Sequence, residues 1–241
     1  MKGLVTAAGM GTRSGLDGKF RKEMLPLYDL RDGKLVLRPV IDIVLTRLFD
    51  SGVKEAAVVL QNSDSITETY VRREFPDVHI IYQEKPAGFG NAIYCAGDFL
   101  SGDSIINAGD AFILDSSYYR EMQKTGESKL FLFNVKDASK YGNARVDSST
   151  GRILEVKEKP KIPISNLALC AVYRFKFPIA RYLQESDTEF TVAIQRAIES
   201  GEKIFHGNVP SDLWVSVGKV ESYVEKVNMT FQYNQKIKKQ Y

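Results

Sequence analysis

Two glycines and two cations near the start of the chain have the types and spacing to handle phosphate. Ala7-Ala8-Gly9-Met10-Gly11-Thr12-Arg13 follows a short apolar run, and Lys22-Glu23-Met24-Leu25-Pro26 comes nine residues after Arg13. Glycines let the backbone approach a ligand closely, and successive N–H groups can form an anion-binding nest. An arginine fork grips phosphate oxygens, while a lysine supplies a compact point charge. Two cations bracketing such a nest suit a polyphosphate. The loop alone also fits a tight turn with no ligand. A dinucleotide fingerprint wants a third glycine where Ser14 stands, and a Walker loop fails because no Gly-Lys-Ser/Thr follows.

These residues need a scaffold that holds them at strand ends. Apolar runs predict buried strands over 4–8, 56–60, 78–82 and 104–106. Ile41, Val44, Leu45 and Leu48 recur on one helical face, and Gly52 is placed to end that helix. Further helices are expected over 65–75 and 89–100. Such alternation argues for a parallel sheet covered on both faces, with ligands beyond the carboxyl ends of the strands. The second half reads as strands over 130–135, 144–147, 153–157, 169–175, 203–209 and 213–217. Its helices are expected over 179–183, 190–200 and 220–236. The expected fold class is a three-layer α/β, Rossmann-like mixed sheet. One domain over 1–241 is expected, with a nucleotide half over about 1–115 and an acceptor half over about 116–241.

Composition narrows the classes. The 241 residues are 44% hydrophobic and 26% charged, the balance of a soluble globular protein. A net charge of +3 without an aromatic-studded basic stripe argues against nucleic acid. No apolar run approaches the ~18 residues of a membrane span, and the N-terminus lacks a signal-peptide pattern. Cys95 and Cys170 have no metal-ligand spacing and read as two buried thiols, so the cytoplasm is the expected compartment. His79 and His206 sit in no motif.

With Gly9-Met10-Gly11-Thr12-Arg13 followed by Arg21-Lys22-Glu23-Met24-Leu25-Pro26, the chain resembles the sugar-1-phosphate nucleotidylyltransferases, the family of UDP-glucose and dTDP-glucose pyrophosphorylases. Arg21 stands where that family usually has proline. The resemblance implies that Ala8, Gly9, Gly11 and Thr12 cradle the nucleotide, with Arg13 and Lys22 on the triphosphate. It implies that Gln83 and Gly88 read the base. A glutamine amide offers one donor and one acceptor, matching the imide edge of uracil or thymine. Asp110, at the end of a buried strand, would be the metal ligand, holding Mg²⁺ against the phosphates. Gly142, Glu158, Lys159, Asn166 and Glu189 would line the sugar-phosphate site. Glu189 has a competing role at a helix start, and Ala171 stands where the family often has glycine. The implied partners are UTP or dTTP and a sugar 1-phosphate, with a homo-oligomer in which the C-terminal helix is a contact.

One departure bears on catalysis. The family's Trp-x-Asp-x-Gly-Thr segment, whose aspartate is the second metal ligand, is here Trp214-Val215-Ser216-Val217-Gly218-Lys219. Serine replaces the carboxylate and lysine replaces threonine. Asp110 and the phosphates would then hold the metal alone, or Lys219 would supply part of its charge, or catalysis would be weakened. Three other readings compete with an active sugar nucleotidyltransferase. They are a non-catalytic sugar-nucleotide-binding homologue, a cytidylyltransferase acting on an alcohol phosphate, and a dinucleotide-binding oxidoreductase.

Overall fold

The computed structural model describes residues 1–11, 16 and 20–239. Thr12 and Arg13, both expected at the phosphate loop, lie outside the described residues. The first strand, β1 (Lys2–Thr6), runs in parallel beside β4 (Glu55–Gln61) and β6 (Ser104–Ala108), and β4 pairs in parallel with β5 (His79–Gln83). Leu4 and Val5 are fully buried, and they face different cores. A strand buried on both faces reads as a continuous apolar run, which is what this segment shows.

Helices cover both faces. Val5, Val58 and Ile105 pack with α1 (Val40–Asp50), α2 (Ser65–Glu74) and α4 (Ser117–Lys124) through Leu45, Val71 and Tyr119. Leu4, Val59 and Ile106 pack with α3 (Gly88–Cys95) and α5 (Thr191–Glu199) through Ile93 and Ile194. The sheet continues into the second half without a break. The strand β11 (Leu167–Phe175) pairs antiparallel with β6, β8 (Ser128–Asn134) and β9 (Asn143–Val146). β10 (Ile153–Lys157) extends β9, and β12 (Ile204–Asn208) extends β8. The result is a nine-stranded mixed sheet in a three-layer α/β fold.

Several expected elements shift. The helix expected over 89–100 ends at Cys95, and the segment beyond it closes in turns that place Leu100 in the core. Cys170 is buried as expected, but Cys95 is exposed because the helix turns it away from the sheet. The segment expected as a helix over 179–183 is a short 3-10 turn, Ile179–Tyr182. An antiparallel hairpin, β2 (Pro26–Arg31) and β3 (Lys34–Pro39), stands where no strands were expected. A buried ion network fixes this hairpin to α1: Arg38 pairs with Asp29 at 2.7 Å and with Asp42, and Arg47 pairs with Asp29 at 2.7 Å. The last helix, α6 (Tyr223–Lys238), lies on the hairpin within the same chain. Asn234 donates to the Tyr28 carbonyl at 3.0 Å, and Tyr28 meets Phe231 edge-on. No helix among the described residues is long and apolar enough to cross a membrane.

Candidate active site

A cleft of about 740 Å³ opens at the carboxyl ends of β1, β5 and β6 and runs along the face of β11. Its middle is built by the ends of β1 and β6, which are locked together. The Gly109 N–H donates to the Thr6 carbonyl at 2.8 Å, and a Cβ on Gly109 would lie 2.9 Å from that oxygen. Only glycine permits this approach. Beyond Thr6 the chain turns through Ala8, Gly9, Met10 and Gly11, all on the cleft wall. Gly11 takes a left-handed φ of 65°.

Asp110 is aimed by buried polar scaffolding. Asn107 is fully buried, its Nδ2 donates to the Ala108 and Ala111 carbonyls at 2.7 Å, and Tyr119 Oη donates to its Oδ1 at 2.9 Å. These bonds set the turn into β7 (Ala111–Ile113), which pairs with β13 (Trp214–Ser216). Ser216 stands opposite Ala111, and the Val217 N–H donates to the Asp110 carbonyl oxygen at 3.0 Å. The replaced carboxylate position therefore lies beside Asp110, with Lys219 lining the same wall. Asp212, on the 3-10 turn Ser211–Leu213, does not line the cleft.

Lys22 sits on the 3-10 turn Lys22–Met24, and its ammonium hydrogen-bonds Asp110 Oδ2. The same ammonium is 3.8 Å from Glu23 Oε1. Glu23 went unassigned in the sequence. It lines the cleft yet is only 2% exposed, and its Oε2 is buried without a hydrogen-bond partner. Burial pushes its carboxyl up from 4.5 to about 7; the Lys22 charge opposes the rise and the Asp110 charge adds to it.

The donor set suits a hard divalent cation of the magnesium type. Such an ion takes one or two carboxylates and completes its shell with phosphate oxygens and water. Asp110 is a cleft-facing carboxylate, and the orphaned Glu23 oxygen marks the same corner as short of positive charge. Among the described residues no cluster of three His, Cys, Asp or Glu side chains is assembled, so substrate oxygens would have to complete the shell.

Gln83 closes the next stretch of wall. Its Nε2 donates to Asn91 Oδ1 at 2.7 Å and to the Gly88 carbonyl at 3.1 Å. The amide is thus oriented by α3 before any ligand arrives. Gly88 has φ +95°, and a Cβ there would lie 2.2 Å from the Thr188 carbonyl oxygen. Gly88→Ala should therefore cost about 3 kcal/mol or more of folding stability. A urea titration checks this; an unchanged midpoint would contradict the close approach.

The far end gathers Gly142, Glu158, Lys159 and Glu189 on one wall. A Cβ on Gly142 would lie 2.9 Å from Glu158 Oε2, so glycine leaves room for that carboxylate. Lys159 pairs with Glu158 and lies 3.7 Å from Glu189. Ala171 lines this end with a left-handed φ of 57°, at the irregular register of β11. Asn166 is not brought to the cleft: it is exposed at the turn before β11 and its carbonyl accepts from the Val135 N–H at 3.0 Å. Lys140, Ser222 and Lys226 line the cleft and went unassigned in the sequence. Lys226 lies within a polar helix, where its charge alone gave no signal.

Glycine loop, strand-end carboxylate and long cleft across a mixed sheet define a three-layer α/β protein of the nucleotide-diphospho-sugar transferase fold. The chain belongs to the nucleotidyl transferase family, whose model matches residues 2–232. It is 28% identical to a glucose-1-phosphate thymidylyltransferase of Streptomyces antibioticus, over 95% of this chain and 66% of that protein. It is also 28% identical to a UTP–glucose-1-phosphate uridylyltransferase of Bacillus subtilis, over 82% of this chain and 80% of that one. A second thymidylyltransferase, from Streptomyces griseus, is spanned over 64% of its length, so the chain covers about two thirds of these Streptomyces relatives. In fold it matches a UDP-glucose pyrophosphorylase complexed with UDP-glucose (TM-score 0.79, 21% identity, 98% of each chain). It also matches a UTP-bound UGPase from Acinetobacter baumannii (TM-score 0.75, 20% identity, 98% of each chain).

Proposed function

We propose that the chain transfers a uridylyl or thymidylyl group from UTP or dTTP to a sugar 1-phosphate, with glucose 1-phosphate as the first acceptor to test, and releases pyrophosphate. The observation that supports this best is one continuous cleft. It carries the oriented Gln83 amide at the β5 side, Lys22 and Asp110 by the glycine loop at the ends of β1 and β6, and Glu158, Lys159 and Glu189 on the side of β9 and β10. That order matches base, triphosphate and acceptor, with the phosphates between the nucleoside and the attacking group.

In this reading an oxygen of the acceptor phosphate attacks the α-phosphorus in line. A new P–O bond forms as the α–β bridging P–O bond breaks, and that electron pair leaves with pyrophosphate. Lys22 follows the developing charge. Lys159 holds the acceptor phosphate and Glu158 accepts from a sugar hydroxyl. Positioning and preorganised charge supply the catalysis, with no covalent intermediate. A magnesium ion held by Asp110 would neutralise phosphate charge. Lys219 and Lys226 add positive charge on a wall where Ser216 supplies no carboxylate. The whole chain acts as one domain.

A second reading, a binding homologue with weak turnover, is favoured by Ser216 alone. Pyrophosphate release over a panel of nucleoside triphosphates and sugar 1-phosphates separates the two. Release with UTP or dTTP supports the transferase; tight nucleotide binding with no release across the panel supports the homologue. Ser216→Asp should tighten divalent binding, read by electron paramagnetic resonance of added Mn²⁺. Unchanged Mn²⁺ affinity would remove Ser216 from the metal's surroundings.

A further inference from the structure

We propose that Arg21 is a positioning residue whose guanidinium clamps the glycine loop in the shape that receives the triphosphate; this rests on the transferase reading above. Arg21 reaches three separate segments at once. Nη1 donates to the Gly9 carbonyl at 3.2 Å, Nη2 donates to Gln61 Oε1 at 2.8 Å, and Nε lies 3.4 Å from Asp64 Oδ2. The side chain is 12% exposed and Asp64 is 3% exposed. This is not a solvated surface pair of the kind that contributes little.

Each anchor is rigid. Gln61 ends β4, the strand beside β1. Asp64 caps α2 by accepting from the Thr67 N–H at 3.2 Å. The clamp therefore ties the loop after β1 to the adjacent strand end and to a helix start. Its backbone contributes as well: the Arg21 carbonyl accepts from the Met24 N–H at 3.0 Å, closing the turn that presents Lys22. One residue thus holds the glycine loop with its side chain and the phosphate lysine with its main chain. The two lie close together: a Cβ on Gly9 would be 3.9 Å from Lys22 Nζ.

The consequence is directional. In a trans peptide the C=O and the next N–H point opposite ways. Pinning the Gly9 carbonyl therefore fixes the Met10 N–H, and Met10 lines the cleft. Arginine is required by shape: its planar fork serves three partners, whereas a lysine ammonium at the end of a flexible stem cannot reproduce that geometry.

The test compares Arg21→Ala and Arg21→Lys with the wild type in KM for each substrate, kcat, and amide exchange of the peptide over 7–11. Both variants should raise KM for the nucleoside triphosphate about tenfold or more, since small misplacements at such sites cost up to ~100-fold. KM for the sugar phosphate should stay near wild type, and amides in 7–11 should exchange faster. Wild-type nucleotide KM and exchange in Arg21→Ala would overturn the proposal. So would full recovery by lysine, which would reduce Arg21 to a charge, or parallel rises in both KM values, which would mean general damage. Should the wild type show no turnover, the transferase reading fails, while the exchange measurement and calorimetric titration with UTP still decide the clamp.

Discussion

Replacing Lys22 with methionine is expected to lower kcat/KM for pyrophosphate release by about 100- to 1,000-fold, the range found on deleting one charge-stabilising group from a preorganised site. That corresponds to roughly 3–4 kcal/mol of transition-state stabilisation. The size follows from position. The ammonium contacts Asp110, approaches Glu23, and is only 19% exposed, so water screens it weakly. Methionine keeps the stem and the packing but leaves two carboxylates without their shared cation. Nucleotide binding should weaken less than turnover, because the charge on the leaving pyrophosphate develops as the bond breaks. Steady-state kinetics with circular dichroism as a fold check reads this. A variant with wild-type kcat/KM would remove Lys22 from the chemistry.

The second large effect concerns Glu23 and is read in stability. Its carboxyl is raised to about 7 in the folded chain against 4.5 in its ordinary state, chiefly by burial. The native state therefore holds the proton more tightly than the unfolded chain. Stability from that proton is fully present below about pH 4.5 and is lost as pH rises through 7. The full loss is about 3 kcal/mol, from about 1.4 kcal/mol per pKa unit. Glutamine matches the protonated acid in shape and does not titrate. Glu23→Gln should therefore gain stability over the wild type between pH 4.5 and pH 8.5 by about that amount. Urea titrations of both chains at the two pH values measure it, and a difference that does not change with pH would contradict it. Added Mg²⁺ should shrink the gap in the wild type, since a nearby cation favours the ionised carboxylate.

These two side chains show what a sequence displays and what it hides. The place of Lys22 on the cleft wall was legible because a strand, two glycines and a lysine before an apolar run stand in that order. Glu23 is its neighbour and was silent, since burial by other segments is what makes it unusual. Arg21 appeared only as a departure from proline. Its meaning depends on Gln61 and Asp64, forty and more positions away, which no local pattern connects. The parallel core was readable from apolar runs because both faces of β1 are buried. The β2–β3 hairpin was missed although its signal stood in view: Asp32-Gly33, with φ 52° and 71°, is a hairpin turn pair. Asn166 fell in family order but outside the cleft, because order along the chain does not state which face of a turn a side chain takes.

Nucleotidyl transfer in one cleft is decided by the identity of the products. Incubating the chain with UTP or dTTP, glucose 1-phosphate and Mg²⁺, then following phosphorus NMR, should show pyrophosphate and a diphosphate-linked sugar nucleotide appearing in equal amounts. Pyrophosphate without the sugar nucleotide, or neither product across other sugar 1-phosphates while UTP still binds, would contradict the account.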